Sequence, residues 1–193
     1  MTRPTNPQRI YLAGPEVFLP DPMAAGRQKQ ALCDAHGFAG VFPLDADLDL
    51  SGLDKTEAAR RISLANEGLM RSCDLLIANL TPFRSVSADA GTAFEVGFMR
   101  ALGRPVLGYT NTPLDLRRRS EMARAGQHLP FDSDSPAIAI EDFDLAENLM
   151  IEIAVMESGG MVVRSTVPPS AEMTDLAGFE ACLAQARTIT SQR

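Results

Sequence analysis

The sequence is short of positive charge, of cysteine and histidine, and of long apolar runs. Its 18 Lys and Arg stand against 25 Asp and Glu, a formal net charge of −7. No Lys/Arg-dense face is evident, which argues against a protein that grips a nucleic-acid polymer by releasing its counterions. The one basic run, Arg117-Arg118-Arg119, falls short of a basic patch and reads as a solvated loop or helix end. Cys33, Cys73 and Cys182 are odd in number, lack C-x-x-C spacing and sit in or beside apolar stretches. Small buried hydrophobes in a reducing, cytoplasmic setting are expected. His36 and His128, in unrelated contexts, offer no metal ligand set. No run reaches the length of a membrane span, and Met1 to Arg9 has no apolar centre of a secretory signal, so no membrane partner is expected.

What is present suffices for a core: 193 residues, 45% of them hydrophobic, predict one domain over 1–193 with a flexible N-terminus over 1–8. The run from Arg9 to Pro15 starts apolar and β-prone and ends at Gly-Pro, a buried strand opening into a loop. Helical spacing predicts a helix over 21–36, stopped by Gly37. A strand over 38–44, a helix over 52–72 and a strand over 73–80 buried on both faces follow. A loop over 82–90, a helix over 91–102 ended by Gly103, and a strand over 105–109 come next. Residues 111–136 read as a surface excursion or a lid. Helices over 145–157 and 174–188 are separated by Gly159-Gly160 and Pro168-Pro169. The alternation predicts an α/β fold, a flavodoxin-like or Rossmann-like, mostly parallel five-stranded sheet with helices on both faces. Ligands of such sheets bind beyond the carboxyl ends of the strands.

The stretch Asp89-Ala90-Gly91-Thr92-Ala93-Phe94-Glu95-Val96-Gly97-Phe98 puts two carboxylates six residues apart across a loop-to-helix boundary. Glu95 has Phe94, Val96, Phe98, Met99 and Leu102 for neighbours, and an ionisable group in such company is costly unless paired or used. A partly exposed helical glutamate is the plain alternative. Gly91-Thr92 can offer backbone N–H groups to substrate oxygens, or the same donors can be taken by Asp89 or Thr92 as an ordinary cap. The first strand of such a sheet usually lies near its centre, beside the strand that precedes the acidic helix. Tyr11 can therefore reach Glu95 and hold its charged form, or lie with its hydroxyl at the sheet edge.

Four motifs in order resemble nucleoside 2-deoxyribosyltransferases: Tyr11-Leu12-Ala13-Gly14-Pro15, Asn66 eight residues before Asp74, Asp89-x-Gly91-Thr92-x-x-Glu95-x-Gly97, and Asn148-Leu149-Met150. The likeness runs from about Ile10 to Met150, and Pro82-Phe83-Arg84 and Glu141-Asp142-Phe143 resemble the branch that includes the trypanosomatid enzymes. The resemblance implies that Glu95 is the nucleophile, forming a covalent 2-deoxyribosyl ester with net retention, and that Tyr11 holds its carboxylate. It implies a substrate-binding set of Asp89, Gly14, Pro15, Phe18, Asn66, Gly91, Asn148 and Met150. Asn148 and Met150 would complete the site of a neighbouring subunit in a homo-oligomer, with 145–193 contributing to the contacts. Substrates would be 2′-deoxynucleosides and free nucleobases in salvage, with no cofactor or metal. The chemistry is coherent: a carboxylate beneath C1′ stabilises the oxocarbenium character that develops as the base departs, then traps it.

The chain departs from the best-known bacterial members at two points. Asn66 stands where they carry an aspartate, and an amide can recognise a base edge but cannot act as an acid. Val17 stands where they have a larger aromatic. Asp74 reads as structural. Two other functions compete. An N-glycosidase of deoxynucleoside 5′-monophosphates would use the same glutamate and tyrosine, but Asp89 would repel its phosphate. A nucleotide-sensing module could share the fold without turnover.

Overall fold

The computed structural model describes residues 7–126 and 139–191. Residues 1–6 of the expected N-terminal segment, His128, and the excursion from 127 to 136 lie outside the described residues. The elements are β1 (Arg9–Ala13), α1 (Pro22–Ala35), β2 (Ala39–Val41), α2 (Lys55–Arg71), β3 (Leu75–Asn79), α3 (Ala90–Ala101), β4 (Val106–Thr110), α4 (Leu116–Ala125), α5 (Leu149–Glu157), β5 (Val162–Arg164) and α6 (Ala177–Ser191).

Short polar side chains decide where the helices begin. Asp21 accepts from the Ala24 N–H ahead of Pro22, Asp54 from Glu57, and Asp115 from Arg118. Caps move two expected boundaries: α2 starts at Lys55 rather than 52, and α5 at Leu149 rather than 145, behind Asn148. The strand expected over 38–44 shrinks to three residues, because Pro43 has no N–H for a ladder and opens a 3-10 turn, Pro43–Asp45. Part of the expected excursion is helix α4. Arg117 and Arg118 face solvent there, but Arg119 is buried, so the run is not wholly a solvated end. The sequence placed no strand over Val162–Arg164, a short, partly exposed edge with no strong pattern.

Among the described residues all strand pairs are parallel, in the order β2-β1-β3-β4-β5. That is the flavodoxin-like doubly wound order, with its topological switch point between β1 and β3. Side-chain alternation then sorts the core. Ile10, Leu12, Leu75, Ile77, Leu107 and Tyr109 face α1 and α6, with Phe179 and Leu183 among their partners. Tyr11, Ala13, Leu76 and Ala78 face the other way, with Met70, Val96, Met99 and Val155 of α2, α3 and α5. The two tyrosines of the chain thus point to opposite faces. None of the described helices is long and apolar enough to cross a membrane.

One face hides a charge cluster. Glu16, in the 3-10 turn Pro15–Phe18 after β1, is buried and ion-paired with the equally buried Lys29 of α1. It accepts hydrogen bonds from Asn79 Nδ2 at 2.8 Å and the Tyr109 hydroxyl at 3.1 Å. Lys29 Nζ also lies 5.2 Å from the Phe179 ring centroid. A Cβ on Gly14 would fall 2.0 Å from Glu16 Oε2 and 2.9 Å from Asn79 Cβ, so only glycine lets the carboxylate fold back here. Lys29→Met keeps the aliphatic bulk and leaves Glu16 charged without its cation. We expect about 3–5 kcal/mol loss of stability in urea unfolding; an unchanged midpoint would show that the pair does not hold the turn.

Candidate active site

Tyr11 and Glu95 meet at the switch point. Tyr11 sits mid-strand in β1 and is fully buried, its ring directed by alternation toward α3. The buried side chains of α3 are Thr92, Val96 and Met99. Glu95, three residues after Thr92 and four before Met99, flanks that stripe and is half-buried. The Tyr11 hydroxyl donates to Glu95 Oε1 at 2.8 Å. Of the two alternatives for Tyr11, the structure has the one in which it reaches the carboxylate.

Magnitudes explain the state of this carboxylate. Burying a carboxylate costs several kcal/mol, whereas a hydrogen bond to a charged group returns roughly 1.5–3 kcal/mol. One phenol cannot balance the loss, and no cation is paired with Glu95 among the described residues. Burial therefore raises its pKa from 4.5 to about 7, the Tyr11 bond pulling it down and the charges of Asp89 and Glu16 pushing it up. Burial first, and Glu95 second, hold the Tyr11 phenol far above its ordinary range, so it stays a donor. The result is a poorly solvated, hydrogen-bonded carboxylate that titrates near neutrality, a state suited to a nucleophile or base.

Asp89 is the N-cap of α3. Its Oδ2 accepts from the N–H groups of Gly91 at 3.0 Å and Thr92 at 3.2 Å. Those donors are therefore engaged by an ordinary cap. A Cβ on Gly91 would come within 2.9 Å of that oxygen. Gly14 and Pro15, both buried, lead from β1 into the turn that ends at Phe18. Phe18 is 52% exposed, stacks on Phe83 of the loop after β3 with centroids 5.4 Å apart, and has the Arg84 guanidinium 4.7 Å from its centroid. Two loops at the carboxyl edge are thereby joined into an aromatic ledge. Asn66 lies half-buried on α2, one turn before the buried Met70. Asp74 accepts the Arg9 N–H at 2.8 Å and ties β1 to β3 at their amino ends.

Asn148 caps α5. Its Oδ1 accepts the Met150 N–H, and its Nδ2 donates to Glu141 Oε2 at 2.8 Å. Met150 is 73% exposed. Among the described residues no hydrogen bond joins Phe18, Asn66, Asn148 or Met150 to the Tyr11–Glu95 pair. None of the described residues forms a cluster of three or more His, Cys, Asp or Glu able to hold a metal ion.

Sequence reasoning missed two buried charge centres. One is Glu16–Lys29. The other is Glu147, buried between the loop after β3 and α5 and paired with Arg119 at 2.9 Å. Arg119 also donates to the carbonyls of Val86, Leu114 and Ala146. The readable signals were weak: a charge beside Gly-Pro, and an acid just ahead of a helix cap.

The family model for nucleoside 2-deoxyribosyltransferases matches residues 10–150. An uncharacterised protein of Schizosaccharomyces pombe is 30% identical over 167 residues, 79% of this chain and 79% of that protein. A 2-deoxyribosyltransferase from Leishmania mexicana is 31% identical, with 75% of this chain and 85% of that one covered at a TM-score of 0.57. A conserved protein from Enterococcus faecalis V583 shares the fold at 19% identity, covering 93% of this chain and 99% of its own, with a TM-score of 0.54.

The raised pKa has a stability consequence of definite sign. With a folded value of about 7 above the ordinary 4.5, Glu95 contributes stability that is full below about 4.5 and lost as pH rises through about 7. Glu95→Gln cannot ionise, so its thermal midpoint should exceed that of the wild type at about pH 8 and match it near about pH 4. Tyr11→Phe should move the Glu95 pKa further up in an NMR titration of the carboxyl carbon. A downward move would mean that the phenol does not stabilise the anion.

Proposed function

The chain belongs to the nucleoside 2-deoxyribosyltransferase family, and we propose that it passes 2-deoxyribose between purine and pyrimidine bases through a covalent ester on Glu95. The observation that carries this reading is the 2.8 Å Tyr11–Glu95 hydrogen bond at the switch point of the sheet. A Glu95 oxygen attacks C1′ as the N-glycosidic bond breaks, and the bonding pair leaves with the base. The poorly solvated anion stabilises the positive charge that develops at C1′. A ring nitrogen of the incoming base then attacks C1′ and Glu95 departs, so two inversions give retention.

Asp89 lines the nucleoside pocket as an acceptor, with Gly14, Pro15 and Gly91 shaping the walls and Phe18 and Asn66 contacting the base. Asn66 cannot act as an acid, so the leaving base takes its proton from another pocket acid or from bound water. Asn148 and Met150 complete the site of a neighbouring subunit, and the segment from 145 onward supplies contacts between subunits. The exposed apolar side chains Phe94, Met150, Ile153 and Met156 on α3 and α5 support that assembly.

The test is incubation with a 2′-deoxynucleoside, with and without a second free base, followed by chromatography. We expect a new nucleoside only when the second base is present, and no turnover by Glu95→Ala. Sugar release that ignores the added base would assign the hydrolase instead, and turnover by Glu95→Ala would remove Glu95 as nucleophile.

A further inference from the structure

Glu147 is buried, yet its carboxylate is saturated with donors from three separate segments. Oε1 accepts the Ala88 N–H at 3.0 Å and Arg119 Nη2 at 2.9 Å. Oε2 accepts the Ser87 hydroxyl and, at 3.1 Å, the Asn148 N–H. Arg119 repeats the pattern from the other side, donating to Val86 O at 2.7 Å and to Ala146 O at 2.6 Å. Together the two side chains zip residues 86–88 to residues 146–148. The first segment ends immediately before Asp89, the cap of the helix that carries Glu95. The second contains Asn148 and leads into Met150.

A buried ion pair is an expensive way to fill space, since apolar residues of similar volume are often as stabilising. What it supplies instead is direction, because each bond fixes one group at one angle. Here the directions converge on the two segments that hold substrate-binding side chains.

We propose that Glu147 is a positioning residue with two outputs: it sets Asp89 in its own subunit and Asn148 for the neighbouring subunit's site. The inference rests on the transferase reading and on the assembly it includes. Glu147→Gln keeps the shape but turns one acceptor oxygen into an NH2 group, so either the Ala88–Arg119 side or the Ser87–Asn148 side loses its partner. Asp89 and Asn148 bind the substrate rather than take part in bond breaking. KM for the deoxynucleoside should therefore rise by about tenfold while kcat falls by less than about threefold.

Mixed oligomers separate the two outputs. Differently tagged Glu147→Gln and Glu95→Ala chains are assembled together, and hetero-oligomers are purified through both tags. Every working nucleophile then belongs to a chain with a disturbed Asp89 loop, while sites shared between unlike chains borrow Asn148 from one with Glu147 intact. We expect KM between those of the wild type and the Glu147→Gln homo-oligomer. A wild-type KM, or one fully as high as the homo-oligomer's, would overturn the double role. If Glu147→Gln does not fold, Ser87→Ala removes one of the two bonds from the loop to Glu147 and leaves those of Asn148 and Arg119 in place. It should raise KM without rescue in the mixed oligomer, and an unchanged KM overturns the proposal. Absence of transfer by the wild type would sink the transferase reading alone. The same comparison is then made by calorimetric titration with the deoxynucleoside, where equal affinity of the wild type and Ser87→Ala overturns the role of Glu147.

Discussion

A carboxylate among apolar side chains loses the hydration that stabilises its charge, and this chain meets that cost on both faces of one sheet edge. Its two tyrosines lie on opposite faces, and each donates its hydroxyl to a glutamate: Tyr11 to Glu95 and Tyr109 to Glu16. The pairs differ in what else surrounds them. Glu16 has Lys29 and Asn79 as well, and holds the turn after β1 in place. Glu95 has the phenol and no cation among the described residues, so its charge is only partly compensated and its pKa stands near 7. A buried carboxylate with its own cation serves to hold a turn, whereas one with only a phenol is left with a charge that is incompletely stabilised.

The remaining polar side chains fix the geometry around that pair. Asp89 caps α3, the Phe18–Phe83 stack joins the loops after β1 and β3, and Glu147 with Arg119 fastens the Asp89 loop to the start of α5. Glu95 and Asn66 sit within helices, whereas Asp89 and Asn148 are helix caps and Phe18 closes the turn after β1.

Much of the architecture was legible because it depends on local pattern. Strand β3 opens on the apolar run Leu75-Leu76-Ile77-Ala78, α1 and α3 are followed by Gly37 and Gly103, and the order of elements implied a parallel sheet with β1 beside β3. Tyr11 could be brought within reach of Glu95, though not chosen over the sheet edge, because the first strand of such a sheet usually lies beside the strand that precedes the acidic helix. The errors fall where local pattern competes with a single residue or with distant partners. Pro43 cut β2 short, Asn148 moved the start of α5, and β5 is too short and too exposed for periodicity to mark. Arg119 looked like its neighbours in a basic run, but its acceptors are contributed by residues 86, 114, 146 and 147.

The sequence by itself determined the α/β class, the position of the acidic helix, and the family motifs that single out Tyr11, Asp89 and Glu95. These are carried by spacing along the chain, which folding preserves. Only the tertiary structure decided that Tyr11 donates to Glu95, that Asp89 spends one oxygen as a cap, and that Glu16 and Glu147 are buried charges. The Asp89 cap is local, but the others depend on residues far apart in the chain being brought within 3.5 Å, and on whether water is excluded where they meet. Burial sets the cost of a charge, and it belongs to the packed molecule rather than to any stretch of its chain.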